Sequence, residues 1–229
     1  MNVEAKREKD FFEINFNEIA RDLLLRTAPD VKYAEFRMNH TNRVYEIAKE
    51  LMSFYTPQTS VDFGYSNEWT MNESIVKIMI DIHDAFKYVA ENDHGKAARN
   101  FFTIFIESYY ANGSGDDDIK SHLIHAVNAI EMHSEKYVNT PNIYARLLMD
   151  ADMIDKVHPE FIKASHETFN KNEDINMLMH YYINEVLQYK PYGGPGFNQV
   201  CKKYILESIG MIENPAINDF FTAWVNGIL

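Results

Sequence analysis

An imidazole and a carboxylate stand side by side at His83-Asp84, at the end of an apolar run. From Ile75 to Ile82 only Lys77 and Asp81 are not hydrophobic, so much of the segment is expected to be buried. Lys77 and Asp81 are four apart and could pair on one helix face. The buried His-Asp pair needs partners of its own, because an uncompensated charge in an apolar interior is costly or shifts its pKa until it is neutral. A metal ion is one such partner. Lys87, three residues after Asp84, is another.

Further donors are scattered along the chain. His40 lies in Arg37-Met-Asn-His40-Thr-Asn-Arg43-Val44, His94 in Asp93-His94-Gly95-Lys-Ala97-Ala98, and His133 in Ile130-Glu-Met-His133. His122 and His125 are a nearby pair at i, i+3, and Asp150, Asp152 and Asp155 sit in an apolar helical stretch. These groups can converge only inside a bundle, where sites are built from side chains on facing helices. Imidazole and carboxylate together suit Mn, Fe, Ni, Co or Zn, and Mg less well. Asp150 and Asp152 point about 200° apart on a helix, so only one of them is expected to serve a given ion. The others, Asp155 included, are then expected as helix-surface acids.

The elements that must position these residues read as helices. Apolar residues recur with a helical period over Phe11–Thr27 and Lys32–Tyr55, the latter with Val44, Ile47, Ala48 and Leu51 at i, i+3, i+4, i+7. A third helix is expected from near Asn67 through the His-Asp pair to just before Asn92, after a loop over Pro57–Asn67. Others follow over about Gly95–Tyr110, Asp118–His133 and Asn142–Val157. The last third reads as about Glu160–Asn170, Ile175–Gln188, Phe197–Ile212 and Pro215–Ile228. Nine glycines and seven prolines favour long helices over tight turns, and no hairpin signal is present. The expectation is one all-α domain over 1–229 of about ten helices, with a core over about 32–157 and a helical extension over about 160–229.

Composition excludes several functions. A net charge of −12 repels phosphate backbones, so a nucleic-acid polymer is not an expected partner. A small anion is compatible if a bound cation reverses the field locally. Cys201, the one cysteine, allows neither an internal disulfide nor a cysteine zinc site. No apolar run of about 18 residues exists, and the charged start Met1–Asp10 has no apolar segment behind it. The chain is therefore read as cytoplasmic, without membrane association. His166-Glu-Thr-Phe-Asn170 lacks the second histidine of a zinc-protease helix. Tyr192-Gly-Gly-Pro-Gly196 lacks the Lys-Ser/Thr of a P-loop. A lone Glu91-x-x-His94 falls short of a ferritin-type pair.

In order and local context, these residues resemble the HD-domain metal-dependent phosphohydrolase superfamily. His40-Thr-Asn-Arg43-Val44 resembles its first motif, His83-Asp-Ala-Phe-Lys87 its His-Asp-x-x-Lys, and Ala151-Asp152-Met-Ile154 its last Asp, which selects Asp152 over Asp150. His94-Gly-x-x-Ala98 and Ile130-x-x-His133 are similar to the extra histidines of members with a two-metal or metal-plus-phosphate site. The match covers roughly residues 36–157. The resemblance implies an HD-like helical bundle in which His40, His83, Asp84 and Asp152 hold a divalent metal ion. His94 and His133 would complete a second site bridged by Asp84, giving one or two ions per chain. It implies hydrolysis of a small phosphorylated substrate, such as a nucleotide, by metal-activated water. Lys87 or Arg43 would stabilise the anionic transition state, and the extension would shape the pocket or a homodimer interface. Two alternatives are an HD-type di-iron oxygenase and a non-catalytic regulatory module with a structural metal.

Overall fold

The computed structural model describes residues 11–55, 70–110, 117–133 and 140–228. Among them the chain forms ten helices and no strand. These are α1 (Phe16–Thr27), α2 (Val31–Met52), α3 (Glu73–His83), α4 (His94–Tyr110), α5 (Asp117–Met132), α6 (Ile143–Asp155), α7 (Pro159–Phe169), α8 (Ile175–Gln188), α9 (Pro195–Ile209) and α10 (Pro215–Ile228). The all-α expectation holds. The expected loop over Pro57–Asn67 and the start of α3 near Asn67 lie outside the described residues.

The most apolar segment takes the central place. Ile75, Val76, Met79 and Ile80 have no exposed surface, and α3 packs against α1, α2, α4 and α5. A helix this apolar, with Lys77 and Asp81 paired on its one polar face, is driven to the core. Truncating one of these side chains to Ala is expected to cost about 2–5 kcal/mol. Asn72 caps the start of α3 by accepting from the Ile75 amide at 3.2 Å. Lys77 does pair with Asp81, at 2.6 Å, and Asn17 on α1 donates to the same carboxylate at 3.0 Å.

Two boundaries differ from expectation in ways that matter. The helix carrying the His-Asp pair ends at His83, with Asp84 as its C-cap, and the chain then turns until α4 begins at His94. A straight continuation would carry His94 about 15 Å down the axis. The turns instead return it to Asp84. The first expected helix is interrupted: Phe11 and Phe12 are helical, the chain turns over 13–15, and α1 begins at Phe16, where Asn15 accepts from the Glu18 amide.

The second half supports the site from behind and above. Helix α6 lies along α2, α7 packs on α2, α8 on α7, and α9 on α2, α6 and α7. His158 caps α7 by accepting from the Glu160 amide, with Pro159 at the first helical position. Cys201 is buried, as a core residue should be. No helix among the described residues is long and apolar enough to cross a membrane.

Candidate metal centre

Five helices, or the turns that end them, bring these histidines and aspartates to one point. His40 comes from the middle of α2, His83 and Asp84 from the end of α3, His94 from the start of α4, His133 from just past α5, and Asp152 from α6. His40, His83 and Asp84 are 3%, 0% and 4% exposed, so water cannot satisfy them.

The orientation of the imidazoles follows from their other nitrogens. His83 Nδ1 lies 2.6 Å from the Ile80 carbonyl, His133 Nδ1 2.6 Å from the Ile130 carbonyl and His94 Nδ1 2.9 Å from the Glu91 carbonyl. In each case the partner is three residues earlier. A carbonyl only accepts, so each Nδ1 carries the proton and each neutral ring presents a bare Nε2. His40 Nδ1 is held at 2.7 Å by the Asp155 carboxylate. This is the arrangement that fixes and strengthens imidazole ligands, with Nδ1 tied back and Nε2 presented.

The presented nitrogens converge on the two oxygens of Asp84. Toward Oδ2 point His40 Nε2 at 3.6 Å and His83 Nε2 at 4.0 Å, with Asp152 Oδ1 3.1 Å from His40 Nε2. Toward Oδ1 point His94 Nε2 at 3.2 Å and His133 Nε2 at 3.6 Å. The Nε2 atoms of His94 and His133 are themselves 3.2 Å apart. Two bare lone pairs cannot bond each other, so only a shared proton or cation stabilises that contact. His40 Nε2 and His83 Nε2 are buried without any hydrogen-bond partner. Donors about 2.1 Å from one ion stand roughly 3–3.5 Å from each other, close to these separations. The donor set therefore fits two adjacent cations sharing Asp84. One would be held by His40, His83, Asp84 and Asp152, the other by Asp84, His94 and His133.

Charge is balanced tightly here. Burial disfavours the charged form of Asp84, but Arg37 and His83, with His133 and His94, hold its carboxyl well below the usual range. Burial pushes His83 down to about 4. Burial also lowers His40, yet Asp152 and Asp155 outweigh it and raise the ring to about 9.

Several expected positions fall elsewhere. Arg43 does not reach the site, because it forks onto Asp155 with Nε–Oδ1 of 2.6 Å and Nη2–Oδ2 of 3.1 Å. Asp155 and Asp150 are not surface acids: both have no exposed surface. Asp155 sits behind His40. Asp150 faces the opposite way into a cage of Tyr55, Tyr189 and the amides of Tyr192 and Gly193. Among the described residues Lys87 makes no ion pair with Asp84. Arg37 takes that place, with Nη1 2.9 Å from Oδ2. His122 lies outside the cluster and contacts the Tyr144 hydroxyl. Arg37 and Asp155 are the site residues that motif reading overlooked. Both had a signal, since Arg37 is one turn before His40 and Asp155 one turn after Asp152, on the same helix faces.

The cluster floors a cleft of about 870 Å³, lined by His40, Asp84, His94, His133 and Asp152 below and by Lys87, Arg37 and Lys156 at its sides. Phe36, Phe161 and residues of α8, including Tyr181 and Tyr182, form the wall. The extension thus contributes to the pocket. Set against family models, curated proteins and solved structures, the chain matched none of them.

Proposed function

We infer that the protein is a metal-dependent phosphohydrolase of the HD type, acting on a nucleotide or another small phosphate ester. The reading rests on one observation above all: four tied-back imidazoles aim Nε2 at the two oxygens of a buried carboxylate. Nitrogen and carboxylate ligand atoms gathered this closely suit a shared cation. The motif order His40, His83-Asp84, Asp152 supports the family, and His94 with His133 supports a second ion.

A divalent ion bound there lowers the pKa of its water toward neutrality and draws charge from a phosphoryl oxygen. The chain's residues do the rest. Asp155 and the three backbone carbonyls fix which nitrogen each ring presents. Asp84 supplies one oxygen to each half of the cluster. Lys87, half-buried at the side of the cleft, meets the anionic substrate as a point charge. The apolar wall of Phe36 and Phe161 excludes water and receives the organic part of the ester.

The shared carboxylate also suits two redox-active irons, and this favours the oxygenase as the second reading. Cations lining the cleft weigh toward a phosphate substrate. The test is hydrolysis of a panel of nucleotides and phosphate esters with Mn²⁺, Mg²⁺, Co²⁺ and Ni²⁺, beside oxygen uptake by iron-loaded protein. Metal-dependent phosphate release lost in Asp84→Ala is the expected outcome. Folded, metal-loaded protein that releases no phosphate from any ester would overturn it.

A further inference from the structure

Arg37 lies one turn before His40 on α2, and its guanidinium lines the cleft. Its Nη1 donates to Asp84 Oδ2 at 2.9 Å, the oxygen toward which His40 and His83 also point. Its Nε is buried with no hydrogen-bond partner. The Tyr88 hydroxyl, which donates to the Tyr33 carbonyl at 3.0 Å, also interacts with the guanidinium. The side chain keeps 22% of its surface, on the cleft side of a carboxylate that is 5% exposed.

A guanidinium keeps its charge at every accessible pH. It therefore cannot yield its place to a divalent cation by losing a proton, as a lysine or histidine can. Placed on the carboxylate oxygen that half the cluster needs, it repels any cation that arrives there. The same group offers a planar fork matched to phosphate oxygens. A phosphate above the cluster would lie between two positive partners and relieve their repulsion.

We propose that Arg37 competes with the metal ion for Asp84 Oδ2 and becomes the phosphate-recognising residue of the cleft, so that metal and anion bind with positive coupling. The inference rests on the phosphohydrolase reading for the identity of the anion. Its competition claim stands on the geometry of the Arg37–Asp84 pair. An arginine that merely orients Asp84 predicts the opposite sign, since its removal would loosen the ligand and weaken metal binding. By linkage, whatever factor phosphate adds to metal affinity, metal adds to phosphate affinity.

The experiment is a pair of calorimetric titrations on full-length protein stripped with chelator: Mn²⁺ alone, then inorganic phosphate into Mn²⁺-loaded protein. Wild type is compared with Arg37→Met, Arg37→Gln and Arg37→Lys, each checked for a cooperative melt. Loss of one charged hydrogen bond or one repulsion is worth about a factor of ten. Arg37→Met and Arg37→Gln are expected to bind Mn²⁺ about tenfold more tightly and phosphate at least about tenfold more weakly. Arg37→Lys keeps the charge and loses the fork, so it should hold wild-type Mn²⁺ affinity more closely than phosphate affinity. Unchanged or weaker Mn²⁺ binding in the neutral variants overturns the competition, and unchanged phosphate binding overturns the recognition role. Wild-type protein that is folded and binds no Mn²⁺ overturns both. If both titrations behave as expected but no ester is hydrolysed, the phosphohydrolase reading falls and the competition at Asp84 stands.

Discussion

Asp150 and Asp84 are both carboxylates almost without solvent contact, yet their oxygens meet opposite chemistry. Asp150 receives four donors: the hydroxyls of Tyr55 and Tyr189 at 2.9 Å, and the amides of Tyr192 at 3.1 Å and Gly193 at 2.6 Å. Burial pushes its carboxyl up to about 6, and these donors oppose that rise. Asp84 receives one arginine and faces the Nε2 atoms of four imidazoles whose Nδ1 atoms are tied to other groups. The first site is closed, because each lone pair has a hydrogen. The second stays open to a positive charge. Two acids similar in burial are thus separated by the inventory of donors around them, one closed by hydrogen bonds and the other, on the proposed reading, a metal ligand.

The largest expected effect tests the open site. Asp84→Ala removes an oxygen from each half of the cluster, so metal-dependent turnover should fall at least about 10³-fold, as when a principal charge-stabilising group is deleted. Stability without metal should fall by less than the roughly 3–5 kcal/mol of a broken buried pair, because Arg37, left without Asp84, keeps part of its surface in the cleft. Calorimetry of Mn²⁺ binding beside a urea melt checks both halves. A variant that unfolds while its wild-type parent binds no metal would erase the contrast with Asp150.

Asp150→Asn should show the reverse. An amide oxygen replaces one carboxylate oxygen, while an NH₂ group now confronts the donors that the other oxygen satisfied. Leaving one or two buried donors unmet costs roughly 2–4 kcal/mol. The damage should spread to the loop after α8, where Gly194 has φ of 51° and a side chain on Gly196 would collide with Phe54. Metal affinity per folded molecule should stay near wild type. Chemical denaturation with and without Mn²⁺ reads both quantities. If Asp150→Asn loses metal as Asp152→Asn does, the two acids are not separable in the way their partners imply.

Asp155→Asn sharpens the comparison from behind the site. This carboxylate takes the Arg43 fork and holds His40 Nδ1, so it acts on the ligand and not on the ion. Replacing such a partner typically costs 10–100-fold in metal affinity. The expected Mn²⁺ affinity of Asp155→Asn falls about that far, with the number of ions bound unchanged. Loss of an ion would mean that Asp155 is itself a ligand.

These distinctions explain what the sequence could and could not reveal. Helix class followed from the apolar period, and the burial of α3 followed from Ile75–Ile82 being apolar except at Lys77 and Asp81. The turn after Asp84 was hidden, because Asp84–Asn92 has ordinary helix-forming residues and only the return of His94 to Asp84 reveals the bend. Asp152, chosen by its motif, lies with its Oδ1 3.1 Å from His40 Nε2. The roles of Asp150, Asp155 and Arg43 depended on which donors arrive from α2, α8 and the following loop, and spacing within α6 carries no trace of them. Burial was legible, but partnership across more than a hundred residues, as between His40 and Asp155, was not.

The smallest expected effect separates donor count from burial. Glu50 on α2 also collects donors, from Lys203 at 2.8 and 3.0 Å and from the Tyr204 hydroxyl at 2.7 Å. It differs from Asp150 in lying at the surface, its side chain 37% exposed and that of Lys203 47%. Burial alone would raise its carboxyl pKa, but Lys203 and Tyr204 outweigh it and lower the value. A depressed folded pKa gives stability that is fully present above the unfolded value and lost as pH falls through the folded one. Glu50→Gln should therefore cost at most about 1 kcal/mol at neutral pH. Its denaturation curve should converge with that of wild type as pH drops from about 6 to about 3, across the carboxylate range. If Glu50→Gln costs as much as Asp150→Asn, donor count alone sets the energy. If it costs a small fraction, exclusion of water at Asp150 turns a similar set of hydrogen bonds into a structural anchor, and the same exclusion at Asp84 would favour the cation that the proposed function places there.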